Sequence, residues 1–186
     1  MIFTITGLQG SGKTTIAKML AKKLKYEYYS AGDERGALAL KLGITIDELN
    51  VRAETDLSLN LQFDKFIQKL GKKENCVIEA WAGWFLLPAS YKIFLYVTPD
   101  EGARRIFIER QQQERDDEPL YKSISEAKKV LAFRFKTSWR QFIELHGKQA
   151  DFLNMKNYDL VITTDGKTPE QVLQEILKEL HKNAKK

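Results

Sequence analysis

Eight residues, Gly7-Leu8-Gln9-Gly10-Ser11-Gly12-Lys13-Thr14, have the types and spacing needed to hold a run of phosphates. They fit the pattern G-x-x-x-x-G-K-[ST], in which each fixed position has a physical job. The glycines Gly7, Gly10 and Gly12 let successive backbone N–H groups turn inward around an anion. Lys13 brings a point charge to the outer phosphates, and the Thr14 hydroxyl is the expected ligand of Mg²⁺. Gln9, Ser11 and Thr15 complete the loop and first turn, where amides and hydroxyls meet the donor. The implied ligand is a nucleoside triphosphate, ATP, with Mg²⁺.

The flanks have the form this chemistry requires. Met1 to Thr6 is a β-rich run that feeds directly into the loop. Beyond Thr14, Ile16, Ala17, Met19, Leu20 and Leu24 recur at helical spacing, so a helix aims its positive end at the same anion. Further along, Tyr26–Ser30, Asn75–Glu79, Tyr91–Val97 and Tyr158–Thr163 read as strands, and helical patterns separate them. Helices are predicted over 33–42, from Thr45, over about 55–70, from Thr98, from Ser123 and from Thr168. The segments Thr45–Glu48, Thr98–Glu101, Ser123–Glu126 and Thr168–Gln171 are capping boxes, with a hydroxyl at the cap and Glu or Gln three residues on. Strand–helix alternation predicts an α/β, three-layer P-loop NTPase fold with a five-stranded parallel sheet. Residues 33–72 form a helical substrate-binding insert in this reading. A polar hinge, Gln111 to Tyr121, opens a lid over about 111–136.

The composition sets bounds on function. The 186 residues suit one domain, and 43% hydrophobic with 30% charged residues is a globular balance. The longest nearly apolar run, Ala80–Ala89, is too short to span a bilayer. The chain starts on its first strand, so no signal peptide is expected and the location is cytoplasmic by default. The net charge is +5, with Lys182, Lys185 and Lys186 near the C-terminus. No basic stripe interleaved with aromatics occurs, which argues against a nucleic-acid partner and for small anionic substrates. Cys76, the single cysteine, reads as a small core residue of a strand. His146 and His181 suggest no metal site. A monomer or weak dimer is expected.

Beyond the phosphate loop, the wording of the chain resembles the archaeal-type cytidylate kinases, within the nucleoside monophosphate kinases. Ser30-Ala31-Gly32-Asp33, Gly43-Ile44-Thr45, Val77-Ile78-Glu79, Ala82-Gly83-Trp84 and Tyr158-Asp159-Leu160-Val161-Ile162 carry the likeness, which runs over nearly the whole chain. The resemblance implies transfer of the ATP γ-phosphate to a nucleoside monophosphate, CMP or dCMP first. It also places Arg134 on a lid helix as a catalytic residue. Three departures stand out. Gly36 occupies the place of an arginine, with Arg35 beside it; Trp81 stands where another arginine is expected; and Ala132 replaces the first of a lid pair.

Asp33 and Glu79 each follow a strand end, where a carboxylate can hold Mg²⁺ through water or fix the acceptor's sugar. Asp33 can equally cap a helix. Arg35 is the expected stand-in on the acceptor phosphate. Arg104, Arg105, Arg110 and Arg115 are further candidates to close on phosphates. Trp81, Trp84 and Phe85 can stack on a base or pack into a core, and Trp84 is assigned to the substrate site. Two alternatives stay open at this level: a P-loop kinase with a different small-molecule acceptor, and a nucleotide-binding regulator without catalysis.

Overall fold

A computed structural model describes residues 1–112 and 120–183. Five strands, β1 (Ile2–Gly7), β2 (Glu27–Ser30), β3 (Cys76–Glu79), β4 (Tyr91–Tyr96) and β5 (Leu160–Thr163), form one sheet in the order β2-β3-β1-β4-β5. All four pairings are parallel. Every crossover therefore carries a helix, and both faces of the sheet are covered. The register sets Ile5, Ser30 and Glu79 side by side, so the loops leaving β1, β2 and β3 open along one carboxyl edge.

Alternation along β1 separates two cores. Phe3 and Ile5 point to the face packed by α1 (Lys13–Leu24) and α8 (Pro169–Asn183), with Leu20 and Ile176 fully buried there. Cys76, Ile78 and Phe94 face the other layer, built from α4 (Leu57–Leu70), the one-turn α5 (Gly83–Leu86), α7 (Ile124–His146) and Phe152. Each such side chain contributes roughly 1.5–3 kcal/mol on burial. The two threonines of β1 that would otherwise be buried without partners are satisfied. Thr4 shares a hydroxyl hydrogen bond with Ser90 at 3.0 Å, and Thr6 donates to the Ala80 carbonyl.

The insert is α2 (Ala31–Leu42), α3 (Ile46–Thr55) and α4, with a small core of Ala39, Leu49 and Phe63. The α2 helix begins two residues earlier than its sequence suggests, because Ser30 is its cap and accepts from the Asp33 amide at 3.1 Å. The box at Thr45 and Glu48 forms in both directions. Asp56 separates α3 from α4 by accepting from Ser58 N–H, so Thr55 ends one helix and does not open the next.

The box predicted at Thr98–Glu101 does not form. The amide and hydroxyl of Thr98 both donate to Asp165, beyond β5, while Glu101 turns to Arg104 and Arg105. A charged acceptor from a neighbouring loop outcompetes the local glutamate. The helix opened here, α6 (Pro99–Gln112), runs into the stretch expected to be a hinge. At its other end Tyr121 is buried between α6 and α7 with Ala103, Ala127 and Leu131. The hinge residues 113–119, Arg115 among them, and the terminal 184–186 lie outside the described residues.

Candidate active site

The phosphate loop is held as a hard turn. Gly12 takes φ 80°, the left-handed region, and caps α1 with no side-chain hydrogen bond, so the first amides of the helix are left for an anion. Gly10 lies against Gly102 of α6. A Cβ at Gly10 would come within 2.4 Å of the Gly102 carbonyl oxygen, and one at Gly102 within 2.6 Å of the Gln9 oxygen. Backbone meets backbone at this point, which only a glycine pair permits. Arg105 fastens the same loop: its guanidinium donates to the Gly10 carbonyl and to both oxygens of Thr164, while Nε pairs with Glu101 at 2.8 Å. Arg105 thus braces the loop from outside, a use that the sequence does not suggest.

Lys13 is half-buried and donates to the Leu8 carbonyl at 3.1 Å. Desolvation of its ammonium draws its pKa below the usual lysine value, and Glu79 pulls the other way. The Thr14 hydroxyl donates to Glu79 Oε1 at 2.9 Å, and Tyr28 OH from the neighbouring strand donates to Oε2 at 2.8 Å. Burial, with the Glu79 carboxylate behind it, pushes the Tyr28 phenol well above its ordinary range and keeps it a donor. Thr14 and Glu79 together present hard oxygen donors beside the phosphate loop, a set that fits Mg²⁺. Ser11 is buried with its hydroxyl lacking a hydrogen-bond partner among the described residues, and Thr15 is exposed.

Next to the loop opens a cavity of about 660 Å³. Gly7, Gln9 and Lys13 form one wall, Arg35 and helices α3 and α4 a second, and Trp81 with α7 a third. Lys13, Arg35 and Arg134, three cations 121 positions apart in sequence between first and last, therefore line one space. The Arg35 guanidinium lies 4.7 Å over the Phe63 ring, its Nε has no hydrogen-bond partner among the described residues, and burial lowers its pKa. Trp81 stacks on Phe152 at 4.6 Å and 18° and meets the Phe142 edge at 5.0 Å.

Three residues assigned to the substrate site do not line the cavity. Asp33 is exposed in the first turn of α2 and does not line the cavity; the cap role belongs to Ser30. Trp84 is 5% exposed within the core against Phe85, Phe142 and Tyr158, and the tryptophan that lines the cavity is Trp81 instead. Glu79 does not line the cavity either and is joined to the loop through the Thr14 hydroxyl. Arg104 is spent on Glu101, and Arg110 is buried. Asn60, Asp64, Ser138 and Gln141, which also line the space, read in sequence as polar faces of solvated helices and gave no signal. Among the described residues no His, Cys, Asp and Glu cluster suited to a metal occurs, and no helix is long and apolar enough to cross a membrane.

Comparison with known proteins agrees with this geometry. The cytidylate kinase of Sulfurisphaera tokodaii is 33% identical over 173 residues, 92% of this chain and 91% of that protein. The cytidylate kinase of Ignicoccus hospitalis is 33% identical over 177 residues, 94% and 96% of the two chains. A nucleotide dehydratase of Lacinutrix mariniflava, S-adenosylmethionine-dependent, is 29% identical over 97% of this chain, which spans only 36% of that longer protein. Among solved structures, shikimate kinase from Acinetobacter baumannii superposes with a TM-score of 0.67 at 17% identity, covering 98% of this chain and 93% of that one, a likeness of fold. The cytidylate kinase-like family matches residues 2–166, from the first strand through the phosphate loop, the insert and β5. The braced loop, the cation-lined cavity and this match over most of the chain make the protein a P-loop kinase of the cytidylate kinase-like family.

Proposed function

We propose that the protein transfers the γ-phosphate of ATP to a nucleoside monophosphate, CMP or dCMP, in the 660 Å³ cavity beside the loop. The observation that carries this reading is the convergence of Lys13, Arg35 and Arg134 on one space lined by helices of the insert. Phosphoryl transfer asks for positioning and charge neutralisation more than covalent chemistry. The loop amides and Lys13 hold the donor. Arg35 holds the acceptor phosphate, with one face of its guanidinium resting on the Phe63 ring. Arg134 approaches from α7 and meets charge that develops in the transition state. Trp81 closes the wall opposite the insert and excludes water. Thr14 and Glu79 would hold Mg²⁺, which when bound neutralises charge on the phosphate oxygens.

The test is ADP release from ATP across a panel of nucleoside monophosphates. Turnover that depends on an added monophosphate, highest with CMP or dCMP, is the expected result. A second reading has its own observation: Trp81 occupies the place of an arginine and lines the cavity, making the acceptor site less cationic than the resembled pattern. A different acceptor would appear in the same assay as turnover with a non-cytidine phosphate or a small hydroxyl substrate. ADP release that ignores every acceptor would overturn both readings.

A further inference from the structure

Beside the cavity lies a half-hidden ionisable pair that the transfer chemistry does not use, with one member lining the cavity. Asp64 of α4 and His146 at the end of α7 meet at 2.9 Å, Oδ2 to Nε2, and each side chain is only 13% exposed. The imidazole is clamped between Phe85 and Phe142, with ring centroids 5.1 and 4.5 Å away. Neither Oδ2 nor Nε2 has a hydrogen-bond partner of normal geometry among the described residues, so the imidazole holds the carboxylate by close contact, to which charge is added when the ring is protonated. Oδ2 is sealed from solvent in this contact, yet Asp64 lines the cavity, so Oδ1 is the oxygen offered to it. Burial raises the Asp64 pKa and His146 opposes the rise, a balance that keeps the carboxylate dependent on its partner.

The remaining polar walls do not discriminate. The Ser138 hydroxyl and the Gln141 amide can each donate or accept, so they serve either hydrogen-bonding pattern. The amide nitrogen of Asn60 is occupied by the Ala53 carbonyl at 3.2 Å. Glu54 is another acceptor but stands exposed at the rim, where water replaces any bond it makes. Asp64 is thus the shielded carboxylate of the cavity, a group that when ionised can only accept and does so more strongly than the neutral amide oxygen that Asn60 offers.

We infer that Asp64, oriented by His146, is a specificity-determining residue that reads an exocyclic amino group of the acceptor base and rejects a carbonyl at the same position. The inference rests on the cavity being the nucleoside monophosphate site. An amino group donates to Oδ1. A carbonyl oxygen there sets two acceptors face to face and leaves a shielded carboxylate oxygen unpaired, which is how a site built for a donor rejects its isostere. Cytosine carries this amino group and uracil carries the carbonyl, on otherwise similar rings. His146 is a positioning residue that touches no substrate.

The experiment compares CMP, UMP and the CMP analogue with hydrogen in place of the 4-amino group. Calorimetry on the unaltered protein is expected to show the analogue binding at least about tenfold more weakly than CMP. This arm needs no variant, so a misfolded mutant cannot obscure the outcome. In Asp64→Asn the CMP-to-UMP ratio of kcat/KM should fall at least about tenfold, because the amide can turn a donor toward the carbonyl. His146→Gln, which retains a donor, should preserve more of that ratio than His146→Leu. Equal binding of CMP and its des-amino analogue overturns the inference, as does an unchanged ratio in a folded Asp64→Asn; in either case Asp64 merely joins α4 to α7. If the protein binds no nucleoside monophosphate at all, the functional reading fails first and this inference falls with it.

Discussion

At the scale of single residues, the proposed transfer rests on three cations that line one cavity, and each should fail differently. Lys13 belongs to none of the hydrophobic cores and holds the donor phosphates in the proposed reading, so Lys13→Ala should melt normally in circular dichroism and lose turnover by orders of magnitude. Near-normal turnover of that variant would remove the donor assignment. Arg35 lines the cavity with an Nε that has no hydrogen-bond partner among the described residues, and in the proposed reading it meets the acceptor, where a charge-assisted phosphate contact is worth about 1.5–3 kcal/mol. Arg35→Ala should therefore raise the acceptor KM by roughly tenfold or more and leave the KM for ATP almost unmoved. The reverse pattern in initial-rate kinetics would assign Arg35 to the donor. Glu79 and Tyr28 form a different kind of pair, in which the phenol occupies the oxygen that Thr14 does not.

At the element scale, α6 is the brace of the loop. Its Gly102 touches the loop backbone, so Gly102→Ala forces a Cβ to 2.6 Å from the Gln9 oxygen, where no side chain can yield. Overpacking of this kind costs about 1–3 kcal/mol, and the displaced loop should raise the KM for ATP. A chemical melt and a Michaelis curve check both. The first turn of α6 also carries a pH signature. Hydrogen bonds from Arg104, and then from Arg105, hold the Glu101 carboxyl down at about 2, against an ordinary 4.5. A depressed carboxyl stabilises the fold fully above the ordinary value, and the contribution is lost as pH falls toward the folded one. Wild type and Glu101→Gln should therefore differ in melting temperature above about pH 4.5 and converge as the pH approaches 2. A constant difference down to that pH would mean that the pair contributes nothing through its charge.

For the whole molecule, the cavity is built from walls far apart in sequence: the phosphate loop, the insert helices α3 and α4, and α7. Closing those walls would exclude water and bring Arg134 to the phosphates. Binding of a bisubstrate analogue should slow amide exchange in α3, α4 and the 124–136 half of the lid segment, with little change in β1, β3 and β4. Arg134→Ala should lower kcat far more than it raises the KM for ATP. Unchanged exchange together with normal turnover would leave these walls as static packing. Much of this architecture was legible in the chain itself. Glycine spacing, period-two and period-3.6 hydrophobicity and hydroxyl caps act over a few residues, so Gly7–Thr14, the five strands, the Thr45 cap and the boundaries near Gly43 and Gly71 could be read directly. The corrections came where partners distant in sequence competed with local ones. Asp165 drew Thr98 away from Glu101, Arg105 reached 95 residues back to Gly10, and Trp84 turned into the core while Trp81 faced the cavity. A polar residue on an amphipathic helix looks the same whether it faces water or a pocket. Only the packing of α4 against α7 decided that Asp64 meets His146 beside the cavity, because that contact joins residues whose sequence neighbourhoods contain no trace of each other.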